Sequence, residues 1–177
     1  YIRVCAADFD GDGIAELTAP NKGAQSPGPE DYARSTPVEM YQLAGDPLSG
    51  SSWQRSELGS YSIPQNAEPV DLDGDGDMDI VVGARGDARL VYFENLGAGS
   101  LDFEEHAIGI YGGNLAGFNL EYTDLSGDGR LDIIGMSSGG QFKWIEQPEN
   151  SDDTWNAYTI GSILPDGLVG MEIADID

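Results

Sequence analysis

The chain alternates short apolar runs with polar turn residues. The clearest runs are Ile80-Val81-Val82, Leu90-Val91-Tyr92-Phe93 and Ile133-Ile134, which are rich in β-branched and aromatic residues. No stretch of about 12 residues carries the apolar spacing of an amphipathic helix. Glycine, at 25 of 177 residues, and nine prolines interrupt the chain too often for long helices. The pattern therefore predicts an all-β fold.

An acidic nine-residue motif recurs along the chain. It occupies residues 8–16, 71–79 and 124–132, and a fourth copy begins at Asp175. The first aspartates of successive copies are 63, 53 and 51 residues apart. Two apolar runs follow each complete copy, and then an aromatic residue stands a fixed distance before an aliphatic-glycine pair. These aromatic residues are Trp53, Phe103 and Trp155.

Each period therefore holds four short strands, here called A to D from the inside outwards, and the acidic motif forms the A–B turn. Tandem four-stranded antiparallel repeats of about 50 residues are typical of β-propeller blades, and propellers usually contain about four to eight of them. We predict an open window of a seven-bladed or similar propeller, with neighbouring blades outside the window as partners. The predicted repeats are about 1–63, 64–116 and 117–167, with a fourth beginning at 168–177.

The acidic motif has the composition of a cage for a hard cation. Aspartates at alternate loop positions can direct carboxylates at one centre, a backbone carbonyl follows at position 7, and an acid at position 9 closes the site. Glycine allows the backbone to wrap the ion. Asp and Gly are also ordinary turn formers, but three copies at the same strand phase favour metal. The predicted ligands are Asp8, Asp10, Asp12, Ile14 and Glu16; Asp71, Asp73, Asp75, Asp77 and Asp79; Asp124, Ser126, Asp128, Arg130 and Asp132; and Asp175 and Asp177.

The motif, set between an apolar strand and an Ile-Val run, resembles the FG-GAP/VCBS repeat family. That family includes the calcium-binding blades of integrin α-subunit propellers and of many secreted microbial proteins. The resemblance implies one Ca²⁺ in each complete loop, up to three in all, and a fourth if the chain continues. It also implies an extracellular or cell-surface protein that binds a carbohydrate or protein ligand while calcium serves the structure.

An alternative comes from residues 142–148 and 155–161, which look more like microbial and fungal propellers. Some of those are attached to carbohydrate-active enzymes such as polysaccharide lyases and aldos-2-ulose dehydratases. This alternative places the catalytic residues largely outside the window, and we predict none within it. The sequences that flank the window would distinguish an enzyme from a binding module.

The charge balance excludes two classes of partner. The chain has 32 acidic and eight basic residues, and its net charge is −24. Sequence-independent nucleic-acid binding and docking on anionic lipid both need clustered basic residues. No apolar run reaches about 18 residues, so we expect no membrane insertion. Cys5 is the only cysteine, so no disulfide can form within these residues.

Several isolated residues invite a functional role. His106 is the only histidine, but the other repeats carry Ser56 and Tyr158 at its position, so we expect no catalysis there. The tripeptide Arg85-Gly86-Asp87 falls in a B–C turn, where Gly and Asp are expected in any case. Acidic residues recur on strand A, where they could bind a cation in a central channel or, as we favour, brace neighbouring strands. They are Glu68, Glu121 and Glu172, and Cys5 replaces the acid in the first repeat.

The remaining aromatic residues and one long loop complete the expectations. Trp53, Phe103 and Trp155 share one repeat position, so we predict that they fill the interfaces between blades. Tyr61, Tyr111 and Phe118 fall in D–A connections and are expected to be freer to touch a ligand. The B–C stretch from Pro20 to Pro37 is much longer than its counterparts. We hypothesise that this loop and residues 111–118 contact the ligand on the face opposite calcium; a solvated insertion is the alternative.

Overall fold

The computed structural model describes residues 3–97, 99–112, 115, 118–137, 139–162 and 171–174. Within these ranges the chain forms thirteen β-strands, one α-helix of four residues and one 3₁₀ turn. The predicted all-β fold is confirmed. No helix in the described ranges has the length and apolar character needed to cross a membrane.

The strands form three sheets, which we call blades 1, 2 and 3. Blade 1 contains β1 (Cys5–Ala7), β2 (Glu16–Pro20), β3 (Ser35–Leu43) and β4 (Trp53–Ser62), with α1 (Pro29–Tyr32) and the 3₁₀ turn (Gly50–Ser52) in its connections. Blade 2 contains β5 (Pro64–Val70), β6 (Asp79–Ala84), β7 (Arg89–Asn95) and β8 (Phe103–Ile108). Blade 3 contains β10 (Phe118–Thr123), β11 (Asp132–Met136), β12 (Gln141–Glu146) and β13 (Trp155–Ser162). Each set of four is an antiparallel meander typical of a propeller-like blade.

Blade 3 carries a fifth strand that belongs in sequence to the preceding connection. This strand, β9 (Ile110–Tyr111), pairs in parallel with the start of β13. The Trp155 amide donates to the Gly109 carbonyl at 2.7 Å. Tyr111 lies in the D–A connection, as predicted, and its side chain is 74% exposed. Its backbone is added to the outer edge of the next blade, where β13 supplies hydrogen-bond partners.

The blades pack face to face through two apolar clusters. One cluster joins blades 1 and 2 and includes Phe9 and Val38 together with Ile80 and Val82. The other joins blades 2 and 3 and includes Val81, Ile133 and Trp155. Because successive residues of a strand point to opposite faces, β6 serves both clusters, and its residues are buried throughout.

Two of the three matched aromatic residues fill the seams between blades. Phe103 meets Phe9 of blade 1 edge to face, with ring centroids 5.8 Å apart, and Trp155 is completely buried between blades 2 and 3. Trp53 is half-buried and lines an apolar groove on blade 1 together with Tyr41. The described residues that line this groove all belong to blade 1. The predicted role of Trp53 at an interface between blades therefore stays a prediction.

The expectation that Tyr61 is free to touch a ligand is wrong. Its side chain is 2% exposed and meets the Phe93 ring edge to face at 6.5 Å. The guanidinium carbon of Arg89 lies over the Tyr61 ring, 5.2 Å from the ring centroid. Tyr61 belongs to β4, which runs through Ser62, and not to the predicted D–A connection.

The connections opposite the acidic loops contact one another. The Ser62 hydroxyl donates to the Tyr32 carbonyl at 3.0 Å. The Ser62 amide donates to the Asp87 carboxylate at 2.9 Å, and the Gly86 amide donates to the Ser62 carbonyl, also at 2.9 Å. The Arg85-Gly86-Asp87 tripeptide thus fastens the B–C turn of blade 2 to the end of blade 1, which supports the turn interpretation.

His106 also lies at a seam. Its ring stacks on Tyr92 at a centroid distance of 4.8 Å. Its two nitrogens lie 3.0 Å from carboxylate oxygens of Glu94 in blade 2 and Asp152 in blade 3. The contacts agree with a packing role for this residue.

The buried seam residues should dominate stability. We expect Trp155→Ala to lower the free energy of unfolding by about 3–5 kcal/mol, because it empties a large, fully buried site. Ile160→Ala, in the same strand but 58% exposed, is the matched control and should cost well under that amount. Chemical denaturation followed by tryptophan fluorescence and circular dichroism measures both. Equal losses would contradict the assignment of the seam as core.

Candidate metal centres

The first acidic loop joins β1 to β2 and brings three carboxylates together. Oxygens of Asp8, Asp10 and Glu16 all lie within 4.8 Å of one another. The loop is held in shape by its own amides: Asp12 N–H donates to Asp8 at 3.1 Å, and Gly13 N–H donates to the same carboxylate at 2.9 Å. Positive φ angles at Gly11 and Gly13 allow this wrapping. Asp12 itself accepts the Ile14 amide at 2.7 Å.

The second loop, between β5 and β6, makes a similar cluster from other positions. Oxygens of Asp71, Asp73 and Asp75 lie within 4.8 Å of one another. Asp75 N–H donates to Asp73 at 3.1 Å, and Asp77 N–H donates to Asp75 at 2.9 Å. Asp71 Oδ1 is buried and has no hydrogen-bond partner among the described residues. Buried polar atoms in proteins usually have a hydrogen-bond partner, so this oxygen calls for a partner that the described residues do not supply.

The acids at position 9 lie beneath the loops. Glu16 and Asp79 are each 1% exposed, and Asp132 is 0% exposed. The Asp79 carboxylate accepts the amides of Leu72 in its own loop and Asn95 at the end of β7, both at 2.9 Å. Asp132 likewise accepts the amides of Leu125 and Gln147, both at 3.0 Å. All three acids are predicted ligands of the ion. In the structure Asp79 and Asp132 also fasten the A–B turn to the end of strand C.

The side chains of Asn95 and Gln147 extend this fastening to the preceding blade. Asn95 Nδ2 donates to the Phe9 carbonyl at 2.9 Å, and Gln147 Nε2 donates to the Leu72 carbonyl at 3.2 Å. Both acceptors are the second residue of the preceding acidic loop. Sequence reasoning missed this contact. Its available signal was an amide residue one position after the polar residue that ends strand C's apolar run, and Leu43 stands at that position in blade 1.

Burial and mutual repulsion raise the proton affinity of several loop carboxylates. Burial raises the pKa of Asp79 to about 6, and the nearby Asp73 and Asp75 add to the rise against the opposing effect of two amide hydrogen bonds. Burial also raises the pKa of Asp73 and of Glu16, with Asp10 contributing to the latter. A bound cation would lower these pKa values and so oppose both effects, since it supplies opposite charge at short range.

The carboxylate charges of the third loop are compensated by groups of the loop itself. Amides of Gly127, Asp128 and Gly129 donate to Asp124 and hold the pKa of that carboxyl below its usual value. The Arg130 guanidinium pairs with Asp128. Although all nine residues of this loop are described, they do not form a group of three acidic oxygens within the spacing seen in the first two loops. Ser126, with its neutral hydroxyl, accounts for part of the difference.

The geometry of the first two loops fits a calcium-sized ion. Ca²⁺ binds oxygens at about 2.4 Å, so two of its ligands lie at most about 4.8 Å apart. Both carboxylate groups meet this limit. The predicted carbonyl positions Ile14, Asp77 and Arg130 lie at exposed or half-buried points of their loops. Asp175 and Asp177 lie outside the described residues, and their role stays a prediction.

The acids of strand A do not form a ring of equivalent groups. Glu68 is 7% exposed and pairs with Arg3, whereas Glu172 is exposed. Burial raises the pKa of Glu68, and the Arg3 charge opposes the rise. Glu121 is half-buried, and burial raises its pKa as well. The ion pair supports the bracing interpretation of Glu68.

Comparison with known protein families gives a match to part of the chain. Residues 71–135 match the FG-GAP-like repeat family. The matched segment begins at the first aspartate of the second loop and ends in β11, so it contains the second and third loops in full. The resemblance stated from the sequence is confirmed over this segment. Neither the curated proteins nor the solved structures contain a match to the chain.

The second loop should respond to cations more strongly than the third. We expect Asp75→Asn to remove most of the calcium-induced stabilisation contributed by its loop, because Asp75 belongs to a grouped set of carboxylates. Asp128→Asn, at the same loop position but paired with Arg130, should have a smaller effect. Thermal melting with calcium and with chelator measures the difference. A larger loss for Asp128→Asn would contradict the ranking of the loops.

Proposed function

We propose that this chain is a calcium-stabilised part of a β-propeller in a secreted or cell-surface protein and acts as a binding module. One observation carries the proposal: two successive A–B turns each bring three carboxylate oxygens within 4.8 Å, and the second lies in the segment that matches FG-GAP-like repeats. Extracellular calcium is millimolar, so even loops of modest affinity would be filled there. Calcium in this proposal holds the turns and takes no part in chemistry.

The proposed ligand surface is the long connection between β2 and β3, on the face opposite the acidic loops. Internal contacts fix its shape: Asp31 is 7% exposed, accepts the Gly28 amide at 2.9 Å and pairs with Arg34 at 2.9 Å. Tyr32 is 44% exposed beside Glu30, which is also exposed. An exposed aromatic ring among hydrogen-bonding groups on a rigid loop suits a carbohydrate, and this is the ligand class that we favour.

Calcium should stabilise the folded chain by mass action. With free calcium at about 100 times the dissociation constant, one site adds about 2.7 kcal/mol, which for a domain of this size raises Tm by roughly 5–10 °C. Excess EDTA should reverse the shift. Magnesium at the same concentration should give a smaller shift, because it demands a tighter octahedral site. An unchanged Tm in all three conditions, with no heat of binding by calorimetry, would overturn the calcium proposal.

The ligand surface can be tested separately on a panel of immobilised oligosaccharides. Tyr32→Ala should weaken binding at least tenfold, the expected cost of losing about 1.4 kcal/mol of contact, while calcium-dependent melting stays as in the wild type. Leu48→Ala is the matched control, because Leu48 is 94% exposed in the β3–β4 connection on the opposite face. Binding that survives Tyr32→Ala, or its absence from the wild type, would contradict the proposed surface.

A further inference from the structure

A cavity of about 130 Å³ lies between the second acidic loop and blade 3. Blade 2 contributes Asp71 and Asp73 to its lining, and blade 3 contributes Arg130, Gln147 and Glu149. About 10–15 Å³ of such space holds one water molecule, so the cavity has room for an ion together with several waters. It therefore extends the second loop's carboxylate group towards the neighbouring blade.

Two residues that line this cavity each carry a buried oxygen acceptor without a protein donor. Asp71 Oδ1 and Gln147 Oε1 have no hydrogen-bond partner in the described part of the chain. Gln147 is 4% exposed, so water at the surface does not compensate it. Its orientation is fixed, because the atom that faces the Leu72 carbonyl at 3.2 Å must be the donating nitrogen. The oxygen is left over, and an uncompensated buried acceptor is unfavourable.

The charges around the cavity favour a cation as the missing partner. Asp71, Asp73 and Glu149 are acidic, and the single basic residue in the lining, Arg130, already pairs with Asp128. The Arg130 Nε also donates to the Gln147 carbonyl at 3.2 Å. Carboxylate and amide oxygens are the ligands that calcium prefers. A neutral oxygen ligand from another blade would raise the coordination number of the cation without adding repulsion between carboxylates.

The seam between blades 1 and 2 lacks this arrangement. Asn95 occupies the position that Gln147 has in blade 3, and its Nδ2 makes the same contact with the preceding loop, at the Phe9 carbonyl. Its Oδ1, however, accepts the Gly97 amide at 3.3 Å. The Asn95 oxygen therefore has a partner within blade 2, which makes Asn95 the natural control for Gln147.

We infer that the cation of the second loop is shared between two blades. In this site Asp71, Asp73 and Asp75 bind from blade 2, and the Gln147 side-chain oxygen binds from blade 3, with Glu149 completing the acidic wall. The site rests on the proposed function, since it takes the same calcium ion, but it adds a ligand from outside the repeat that carries the motif. Calcium would then link the blades as well as order one turn.

The test is a calcium titration by isothermal calorimetry on the intact chain. Gln147→Leu should weaken the second-loop site about tenfold, within the range seen when a group supporting a metal is removed. Asn95→Leu removes the equivalent amide contact but no unpaired oxygen, so it should leave calcium affinity near the wild-type value. Gln147→Glu, which loses the donor and keeps an oxygen, should restore binding. In an Asp75→Asn background, Gln147→Leu should have no further effect.

Glu149→Gln is a second test that does not depend on the folding of the Gln147 variants, because Glu149 is exposed and its replacement should be tolerated. We expect several-fold weaker binding. Equal calcium affinity in Gln147→Leu, Glu149→Gln and the wild type would overturn the shared site and indicate that water fills the cavity, while the calcium proposal itself would stand. Absence of calcium binding in the wild type would overturn both.

Discussion

Beneath the second and third acidic loops, a buried carboxylate makes the hydrogen bonds on which the arrangement of the described blades depends. Asp79 and Asp132 each accept an amide of the A–B turn with one oxygen and an amide at the end of strand C with the other. Hydrogen bonds to charged groups contribute more than neutral ones, especially where water is excluded. The loop cannot change shape without moving the end of strand C. The amide side chain at that end then transmits the constraint to the preceding blade.

The three loops arrange their clustered carboxylate charges in two ways. The first two bring three carboxylate oxygens within 4.8 Å of one another, a grouping that could hold a metal ion. The third replaces one carboxylate with Ser126 and supplies its own cation, Arg130. A sequence motif that looks uniform therefore contains positions with different charge balance.

Much of the fold could be predicted from the sequence because it is local and repeated. The continuous apolar run of Ile80, Val81 and Val82 predicts a strand buried on both faces, and the acidic turn marks where strand B begins. What the sequence did not reveal depends on contacts between repeats. The burial of Tyr61 and the amide contacts of Asn95 and Gln147 involve partners far away in the chain. No periodicity within one repeat reports such partners.

The candidate sites divide in the same way. The grouping of carboxylates in the first two loops could be predicted, because the grouped residues lie within nine positions of one another. The buried position of the ninth-position acids could not, because it follows from how strands B and C meet. Neither could the cavity beside Gln147, which exists only because two blades face each other there.

The short parallel strand β9 protects the outer edge that most needs protection. In the described sheets β4 and β8 are outermost in blades 1 and 2. Both carry charges that discourage pairing with other chains, such as Arg55 in β4 and Glu104 in β8. The outer strand of blade 3, β13, has no charged residue between Trp155 and Ser162. Capping its first residues with β9 hides backbone groups that would otherwise template aggregation, so the connection between repeats serves as a gatekeeper where the sequence supplies none.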